Sequence, residues 1–216
     1  MGLVNSIVLV IDVQNSYYAR NGIMRSVLGD LLLPDLVQRL NTVGPVLRDI
    51  GPQWWTRHCY DADYADAPLE WRERMTAVMA RDGLVRGTWD AALAEGLAVG
   101  PDDLVMDKVQ YDAFAGTGLA DLLDDAGVDD LYLAGSLTNV CVAATARSAR
   151  RLGLRTTVLT DLVTARDEVA HVEALSELDT VGVRLVASSE LPPVAQSELP
   201  QGGRVSAPTS ANGGRS

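Results

Sequence analysis

Six short apolar segments recur along the chain and predict the strands of a sheet. Most of them are continuously apolar rather than alternating with polar residues, which is typical of strands covered on both faces. The six segments are 6–13, 52–58, 103–108, 130–135, 154–161 and 182–188.

Helical patterns fill most of the intervals between these strands. They span 33–51, 116–127, 138–153 and 166–182. The endings "LRDIG", "LDDAG" and "RRLG" each carry the Gly expected just beyond a helix C-terminus. Strands alternating with helices predict an α/β fold, a three-layer α/β/α sandwich around a mainly parallel six-stranded sheet.

Two stretches depart from this alternation. Residues 59–102 are polar and rich in Asp and Trp, with one short helix expected in "APLEWRERMTAVMAR", and long insertions of this kind often form lids or oligomer contacts. Residues 191–216 are rich in Pro, Ser, Gly and Gln without periodicity, so we expect a disordered tail. The predicted organisation is one domain over 1–190 followed by that tail.

Composition and charge narrow the class of protein. Of the 216 residues, 47% are hydrophobic and 22% are charged, ordinary values for a soluble globular protein. No apolar run approaches the ~18 to 20 residues of a membrane span, and the apolar opening has no basic leader. A net charge of −11 with scattered basic residues disfavours nucleic-acid binding. We therefore expect a cytoplasmic protein with a small-molecule partner and with neither a membrane nor a nucleic-acid partner.

The usage of three residue types limits the available chemistry. The histidines are His58 and His171, which excludes a three-histidine metal site. The cysteines are Cys59 and Cys141, too few and too far apart to predict a disulfide framework. Seventeen arginines accompany a single lysine, Lys108. Lys108 is either a residual surface residue or a position that needs a compact ammonium whose pKa can shift, which a guanidinium does not provide.

Three polar residues are expected at one edge of the sheet, the edge where ligands bind in open parallel sheets. Asp12 ends the first strand, Lys108 ends the third, and Cys141 follows the fourth. Taken singly, a strand-ending Asp is usually a turn or cap residue, and a helical Cys is usually a small buried hydrophobe. An acid, the single lysine and a thiol at the same edge indicate a catalytic site.

These residue types fit nucleophilic catalysis. Cys141 is expected in the first turn of its helix, where the helix dipole and Lys108 favour a thiolate by lowering the thiol pKa. Asp12 would take the thiol proton and later deliver it to a leaving amine. Backbone N–H groups around Leu137 and Cys141 would hold the oxyanion.

Three segments resemble a known superfamily. "VLVIDVQNSYY", "DKVQYDAF" and "GSLTNVCVAATARSA" are similar, in order and spacing, to motifs of the isochorismatase-like cysteine hydrolase superfamily, which includes nicotinamidases, N-carbamoylsarcosine amidase, and ureidoacrylate and biuret amidohydrolases. The similarity extends over roughly residues 5–187. "RDGLVRGTWDAAL" and "TRHCYDADY" look most like the ureidoacrylate and biuret branch.

The resemblance implies a catalytic triad and a strained loop. The triad falls on Asp12, Lys108 and Cys141. A non-proline cis peptide is expected at Ser136–Leu137, where relatives turn a backbone N–H toward the oxyanion. The "SL" of this loop departs from the small Val-Ala or Val-Thr pairs common in the family, so Leu137 is expected to narrow the pocket.

The resemblance also bears on metals and assembly. Nicotinamidases carry a metal site built from one Asp and two histidines, whereas the matching region here offers His58 with Asp61 and Asp63. We therefore expect no catalytic metal and no cofactor, with His58 lining the pocket. Relatives assemble into dimers or tetramers, which implies a homo-oligomer. Cys59 is expected to be a spectator, with oxidative pairing left open.

Several further residues are candidates for contact with substrate, and each has a structural alternative. Gln14 and Asn15 bind either substrate or the Asp12 loop, Asn139 binds substrate or caps its helix, and the aromatic residues form pocket walls or pack the core. An acidic substrate would find a positive charge at Arg57 or Arg86. The substrate-binding candidates are Gln14, Asn15, Tyr17, Tyr18, His58, Trp89, Tyr111, Phe114 and Asn139.

The sequence thus predicts a metal-independent cysteine amidohydrolase that cleaves a C–N bond of a small amide, ureido or carbamoyl substrate through a thioester. Two alternatives stay open. One is a vinyl-ether hydrolase of isochorismatase type, in which Asp12 alone acts as an acid. The other is a non-catalytic scaffold with a vestigial triad.

Overall fold

The computed structural model describes residues 5–191, and the predicted tail beyond Leu191 lies outside them. All six predicted strands form, and they join in one sheet in which every neighbouring pair is parallel. The strands are β1 (Asn5–Ile11), β2 (Gln53–His58), β3 (Leu104–Lys108), β4 (Val128–Ser136), β5 (Arg155–Thr164) and β6 (Arg184–Val186).

Helices flank the sheet on both faces and complete the three-layer α/β/α sandwich. The α-helices are α1 (Asn15–Tyr18), α2 (Ile23–Leu28), α3 (Leu36–Ile50), α4 (Leu69–Arg74), α5 (Thr76–Met79), α6 (Leu119–Asp125), α7 (Ala143–Arg151) and α8 (Glu168–Thr180). A π-helical turn (Thr138–Val142) precedes α7, and a 3₁₀ turn (Ser188–Glu190) follows β6. No helix within residues 5–191 combines the length and apolar character needed to cross a bilayer.

The central strand β1 shows why the strands read as continuously apolar. Its side chains alternate between two buried clusters, because successive residues of a strand point to opposite faces. Leu9 and Ile11 pack with residues of α6, α7 and α8 on one face, while Val8 and Val10 pack with residues of α3 on the other. Both faces of β1 are therefore buried, as the sequence pattern predicts for a strand of a parallel sheet.

The strand order places a crevice at the middle of the sheet. The order is β3-β2-β1-β4-β5-β6, so the chain leaves β1 toward one edge and later returns to β4 on its other side. Such a reversal is the position where open α/β sheets bind ligands, outside the carboxyl ends of the strands. The ends of β1 and β4 flank this crevice.

The structure differs from the sequence-based elements in three places. Strand β5 continues to Thr164 rather than ending at 161, because Val163 and Thr164 pair with β4 beyond an irregularity in register. Helices α1 and α2 were not predicted. The insertion holds two short helices, α4 and α5, rather than one, and it packs through a third apolar cluster that includes Tyr17, Tyr60 and Trp71.

Candidate active site

Asp12 lies directly beyond β1, at the crevice, in an uncommon backbone conformation. Its φ of 54° falls in the left-handed region, and such residues cluster at functional sites because the surrounding structure must hold them there. The side chain is buried. Its Oδ1 accepts a hydrogen bond from Thr56 Oγ1 at 2.7 Å, and its Oδ2 lies 2.7 Å from Lys108 Nζ. Side chains from β2 and β3 therefore fix the carboxylate.

Lys108 ends β3, two strands away, and its side chain is fully buried against Asp12. Its Nζ also donates to Gln110 O at 3.0 Å. Burial by itself would lower the pKa of this ammonium, but its ion pair with Asp12 and its closeness to Cys141 outweigh burial and raise the pKa above the ordinary value. Lys108 is thus a permanently charged partner of the carboxylate, and the reading of a residual surface lysine is wrong.

Cys141 lies in the π-helical turn, with Val142 N donating to Leu137 O at 3.1 Å to close the turn. A carboxylate oxygen of Asp12, a ring nitrogen of His58 and the Cys141 sulfur all lie within 4.8 Å of one another. Folding therefore gathers the carboxylate, the ammonium and the thiol in one place.

The expected lowering of the thiol pKa is wrong for the resting protein. Burial raises the pKa of Cys141 to about 12, and the Asp12 carboxylate raises it further, while Lys108 lowers it. A buried thiolate loses its hydration, and the nearby ion pair already balances its own charges. The thiol is therefore protonated at neutral pH, with a carboxylate beside it to receive the proton.

The loop before Cys141 has the expected cis peptide, at Ser136–Leu137. Ser136 Oγ hydrogen-bonds with the Tyr18 hydroxyl, and Thr138 Oγ1 lies 2.9 Å from His171 Nδ1. Side chains from α1 and α8 thus hold both ends of this loop. Tyr18 therefore hydrogen-bonds to this loop and does not line the cavity.

Gly135 lets this loop approach β1. A Cβ at Gly135 would lie 2.1 Å from Ile11 O and 2.5 Å from Ile11 N, and its φ is 109°. No other residue type fits a left-handed conformation at this distance from a neighbouring backbone. Gly135 therefore keeps the loop that leads to Cys141 next to β1 and Asp12.

A cavity of about 270 Å³ opens onto Cys141. Its size lies just below the ~300–1,000 Å³ of drug-sized ligand pockets, which suits a small molecule. Asp12 and Lys108 lie beneath its wall rather than in it. The lining residues are Tyr17, Met24, Leu28, His58, Trp71, Arg74, Met75, Tyr111, Leu137, Asn139, Val140, Cys141, Arg166, Asp167 and Ala170.

The sequence model of the isochorismatase domain matches residues 6–190, most of the chain. The chain belongs to the isochorismatase family. Among curated relatives, ureidoacrylate amidohydrolase RutB of Methylobacterium radiotolerans is 30% identical over 186 residues, covering 80% of this chain and 72% of that protein. RutB of Methylorubrum extorquens is 29% identical over 155 residues, covering 66% of this chain. That match spans 62% of the relative's length, less than two thirds.

Solved structures agree with the fold of this isochorismatase-family chain. A cysteine hydrolase from Pseudomonas syringae pv. phaseolicola superposes with a TM-score of 0.77 at 22% sequence identity. The superposition covers 88% of this chain and 92% of the other. At this identity the likeness concerns the fold.

Of the nine residues expected to touch substrate in this isochorismatase-family protein, four line the cavity and five do not. The four are Tyr17, His58, Tyr111 and Asn139, and Leu137, which was expected to narrow the pocket, also lines it. The five that lie elsewhere are Gln14, Asn15, Tyr18, Trp89 and Phe114.

The amides of Gln14 and Asn15 are occupied by backbone. Gln14 Nε2 donates to His58 O and Ala91 O, and its Oε1 accepts from His58 N. Asn15 Nδ2 donates to Trp89 O at 2.9 Å, and its Oδ1 accepts from Glu95 N at 2.8 Å. These two side chains join the insertion to the end of β1, and these are the contacts that the loop-stabilising alternative describes.

The misplaced aromatic and basic residues also have structural roles. The Trp89 indole is partly exposed and donates to Glu95 Oε1 at 2.7 Å, beside a separate surface groove. Phe114 packs against the core cluster under α6 and α7. Arg57 and Arg86 each form a 2.7 Å ion pair with Asp107 and do not line the cavity.

His58 is buried and held neutral. Burial, aided by the charge of Lys108, lowers its pKa to about 3. The Tyr60 hydroxyl lies 2.5 Å from His58 Nε2. A cation held by Asp12, His58 and Cys141 would sit beside the Lys108 ammonium, so these donors fit a resident metal poorly. The absence of a catalytic metal stays a prediction.

The sequence analysis missed one whole wall of the cavity. Trp71 and Arg74 lie on α4 and Met75 directly follows it, at the i, i+3 and i+4 spacing of one helix face, and this was the available signal. Arg166 and Asp167 follow β5 at the same sheet edge as the triad. They were missed because β5 was ended three residues too early, at 161 instead of Thr164.

Proposed function

We propose that this chain is a cysteine-dependent amidohydrolase that cleaves a C–N bond of a small amide, ureido or carbamoyl substrate through a thioester on Cys141. The main support for this proposal is a buried cluster of three side chains. The Asp12 carboxylate pairs with Lys108 and lies next to the Cys141 thiol, and that thiol lines a cavity. The curated relatives named ureidoacrylate amidohydrolase support the same reaction class.

The raised pKa of the Cys141 thiol determines where its proton goes in the first step. Because the resting thiol is protonated, its proton passes to Asp12 as the sulfur attacks the carbonyl carbon, and no free thiolate accumulates. The carbonyl oxygen becomes an oxyanion, for which we assign the backbone N–H groups near Leu137 and Cys141. Lys108 keeps its proton throughout and stabilises the site's negative charge.

The remaining steps return every proton. The C–N bond breaks while Asp12 delivers its proton to the leaving nitrogen, which departs as ammonia or an amine. Water then attacks the thioester and gives a proton to Asp12. The C–S bond breaks, the acid product leaves, and the proton returns to the sulfur.

Turnover of a small panel of amides, ureas and carbamoyl compounds tests this proposal. Ammonia release is measured for the wild type, Cys141→Ala and the matched control Cys59→Ala, which alters the other buried cysteine outside the cavity lining. We expect Cys141→Ala to abolish turnover and Cys59→Ala to retain it. Intact-mass measurement after acid quench should detect the acyl adduct on the wild type.

The same variants separate the two alternatives. Retained turnover of a vinyl ether by Cys141→Ala would favour an acid mechanism through Asp12 alone. Absence of turnover on every C–N and vinyl-ether substrate would favour a scaffold. Alkylation of the resting thiol is a poor discriminator, because a buried thiol with a raised pKa reacts slowly in either case.

Three further expectations belong to this proposal. They are the domain boundary near residue 190, assembly into a dimer or tetramer, and a cytoplasmic location. Each stays a prediction.

A further inference from the structure

A second groove, of about 520 Å³, lies toward the end of the sheet opposite Cys141. It is formed by the amino-terminal parts of β4, β5 and β6, together with Arg150 near the end of α7 and Gly182 before β6. Tyr132 in this groove precedes Ser136 by about 13 Å along β4. The groove shares no lining residue with the cavity at Cys141, so the two are separate.

The strand register fixes five side chains of the groove relative to one another. Across β4 and β5, Asp130 pairs with Arg155. Tyr132 pairs with Thr157, which pairs in turn with Arg184 on β6. Residues two apart on a strand point to the same face of the sheet, and their paired neighbours point there as well. Arg155 and Arg184 are therefore held around Thr157 by the sheet itself.

Arg184 is held by neutral partners. Its Nε donates to Thr157 Oγ1 at 3.1 Å, and its Nη2 donates to the Tyr132 hydroxyl oxygen at 3.3 Å. Its Cζ lies 6.0 Å from the Tyr132 ring centroid. Both hydroxyls accept from Arg184, and neither donates to a protein acceptor among residues 5–191. The remaining N–H groups of the guanidinium and the two O–H groups are thus available to a ligand.

Arg150 approaches the same groove from α7. Its Nη1 donates to Leu154 O at 3.0 Å, and its Nε is buried without a hydrogen-bond partner in the part of the chain that the structure describes. Gly182 makes room for this side chain, since a Cβ at Gly182 would lie 3.2 Å from Arg150 Nη2 and 3.6 Å from its Nε. The contact places the Arg150 guanidinium beside the segment that leads into Arg184.

The charges that line the groove do not balance. Three guanidinium groups and one carboxylate line it, those of Arg150, Arg155, Arg184 and Asp130. Both oxygens of Asp130 accept from Arg155 at 2.8 Å. Among residues 5–191, no carboxylate lies within ion-pairing distance of Arg150 or Arg184. In a chain with a net charge of −11, this local excess of positive charge favours an anion.

We propose that this groove binds a phosphate group, as the free ion or as part of a small phosphate ester, through Arg150 and Arg184. The Tyr132 and Thr157 hydroxyls donate to the same anion. A phosphate group accepts hydrogen bonds at several oxygens and from several directions, which suits this set of donors, whereas a carboxylate has two oxygens in one plane. The site is independent of the reaction proposed at Cys141.

Isothermal titration calorimetry of the full chain at constant ionic strength tests the site. The probes are inorganic phosphate, glycerol 3-phosphate, and malonate, a dianion with carboxylates in place of phosphate. We expect glycerol 3-phosphate to bind with a Kd of about 1 mM or lower, and malonate to bind about tenfold more weakly. Tighter binding of the ester than of inorganic phosphate would identify an ester as the ligand, and equal binding would identify the ion itself. Either result supports the phosphate assignment.

Five variants locate the binding. Arg150→Gln and Arg184→Gln should each weaken glycerol 3-phosphate binding by about tenfold, because each removes charge-assisted hydrogen bonds. Tyr132→Phe and Thr157→Val keep the net charge and should each weaken it by about threefold or more, which a general attraction of anions to positive charge would not do. Arg151→Gln is the matched control, because Arg151 follows Arg150 on α7 but lies outside the groove. It should leave binding unchanged.

Three results would overturn the assignment. They are an absence of binding by both phosphate probes, equal binding of malonate and glycerol 3-phosphate, and equal binding of glycerol 3-phosphate by the wild type and Arg184→Gln. Thermal denaturation without ligand checks that each variant folds. Because Arg184 is exposed, Arg184→Gln decides the result if Arg150→Gln fails to fold. Turnover plays no part in these measurements, so they do not depend on the proposed hydrolysis.

Discussion

Two regions of the molecule meet at Cys141 and are built differently. The strand-end region, formed by the residues that end or follow β1 to β4, is buried, ion-paired and hydrogen-bonded to neighbouring backbone. The roof, formed by the insertion 59–102, contributes exposed Arg74 beside buried Trp71. The strand ends hold charges that water cannot reach, and the roof holds a charge that water can. In the proposed function, the buried strand ends would carry the reaction chemistry and the roof would form part of the pocket wall.

Removing the buried Lys108 ammonium should have the largest effect and is the strongest test of the difference between the two regions. Lys108→Ala leaves Asp12 as an unpaired buried carboxylate, which costs about 3–5 kcal/mol of folding free energy, and should lower kcat by about 10³-fold or more. Urea denaturation and ammonia release measure the two effects.

A matched control comes from an exposed pair. Arg147 and Glu177 lie 2.7 Å apart with side chains 38% and 68% exposed, so Arg147→Ala should cost no more than about 1 kcal/mol. Comparable losses of stability in the two variants would contradict the distinction between buried and exposed charge.

Gly135 offers the next largest effect. Gly135→Ala places a Cβ against Ile11 O and should cost more than about 3 kcal/mol, since strain at positive φ adds to a clash with backbone. Gly153 also has a positive φ, 88°, but its Cβ would meet nothing within 4 Å. Gly153→Ala should therefore cost about 1–2 kcal/mol. Urea midpoints give both values, and soluble yield substitutes if Gly135→Ala fails to fold. Equal costs would show that the approach of the loop to β1 is not tight.

The strand-end region and the roof also differ in how well the sequence predicted them. The strand ends were predictable because apolar runs are local signals, and because parallel strands bring their carboxyl ends to one edge. Asp12, Lys108 and Cys141 could thus be grouped without coordinates. The thiol pKa could not be predicted, because it depends on the depth of burial and on distances to two opposite charges.

The roof was hard to predict for a different reason. Its short helices are stabilised by packing of the third apolar cluster. They are too short to show a helical periodicity that the sequence alone would reveal. Trp71 and Trp89 look alike in the sequence, and Trp89 was chosen as a pocket wall. Its exposed indole and its hydrogen bond to Glu95 are outcomes of the folded insertion.

Acid sensitivity sharpens the description of the strand-end region. The folded-state pKa of His58 is about 3, below the ordinary value of 6.5, so the unfolded chain binds a proton that the folded chain excludes. Stability is fully present above the unfolded pKa and is lost as the pH falls from about 6.5 toward 3. The slope is at most about 1.4 kcal/mol per pH unit.

The window between pH 4.5 and 6.5 separates the histidines from the carboxylates, and His58 should make the larger contribution of the two histidines. Carboxylates with lowered pKa values, such as Asp103 and Asp107, lose their contributions mainly below their ordinary value of 3.8. His58→Gln keeps a hydrogen-bond acceptor for Tyr60 and should flatten the dependence of the urea midpoint on pH. His171→Gln, at a less buried imidazole, should flatten it less. Identical slopes in the wild type and His58→Gln would contradict a buried neutral His58.

The smallest expected effect compares two tryptophans within the insertion. Trp71 is 2% exposed and lines the cavity, whereas Trp89 is 40% exposed and lies at another groove. Trp71→Phe should raise KM several-fold with little change in kcat, because it reshapes a wall without touching the triad. Trp89→Phe should leave both constants within twofold of the wild type, and stability within about 0.5 kcal/mol, as expected of a surface change. If Trp89→Phe changed KM more than Trp71→Phe does, Trp89 would be a substrate contact after all. The substrate would then bind at the groove beside Trp89 rather than at the wall formed by Trp71.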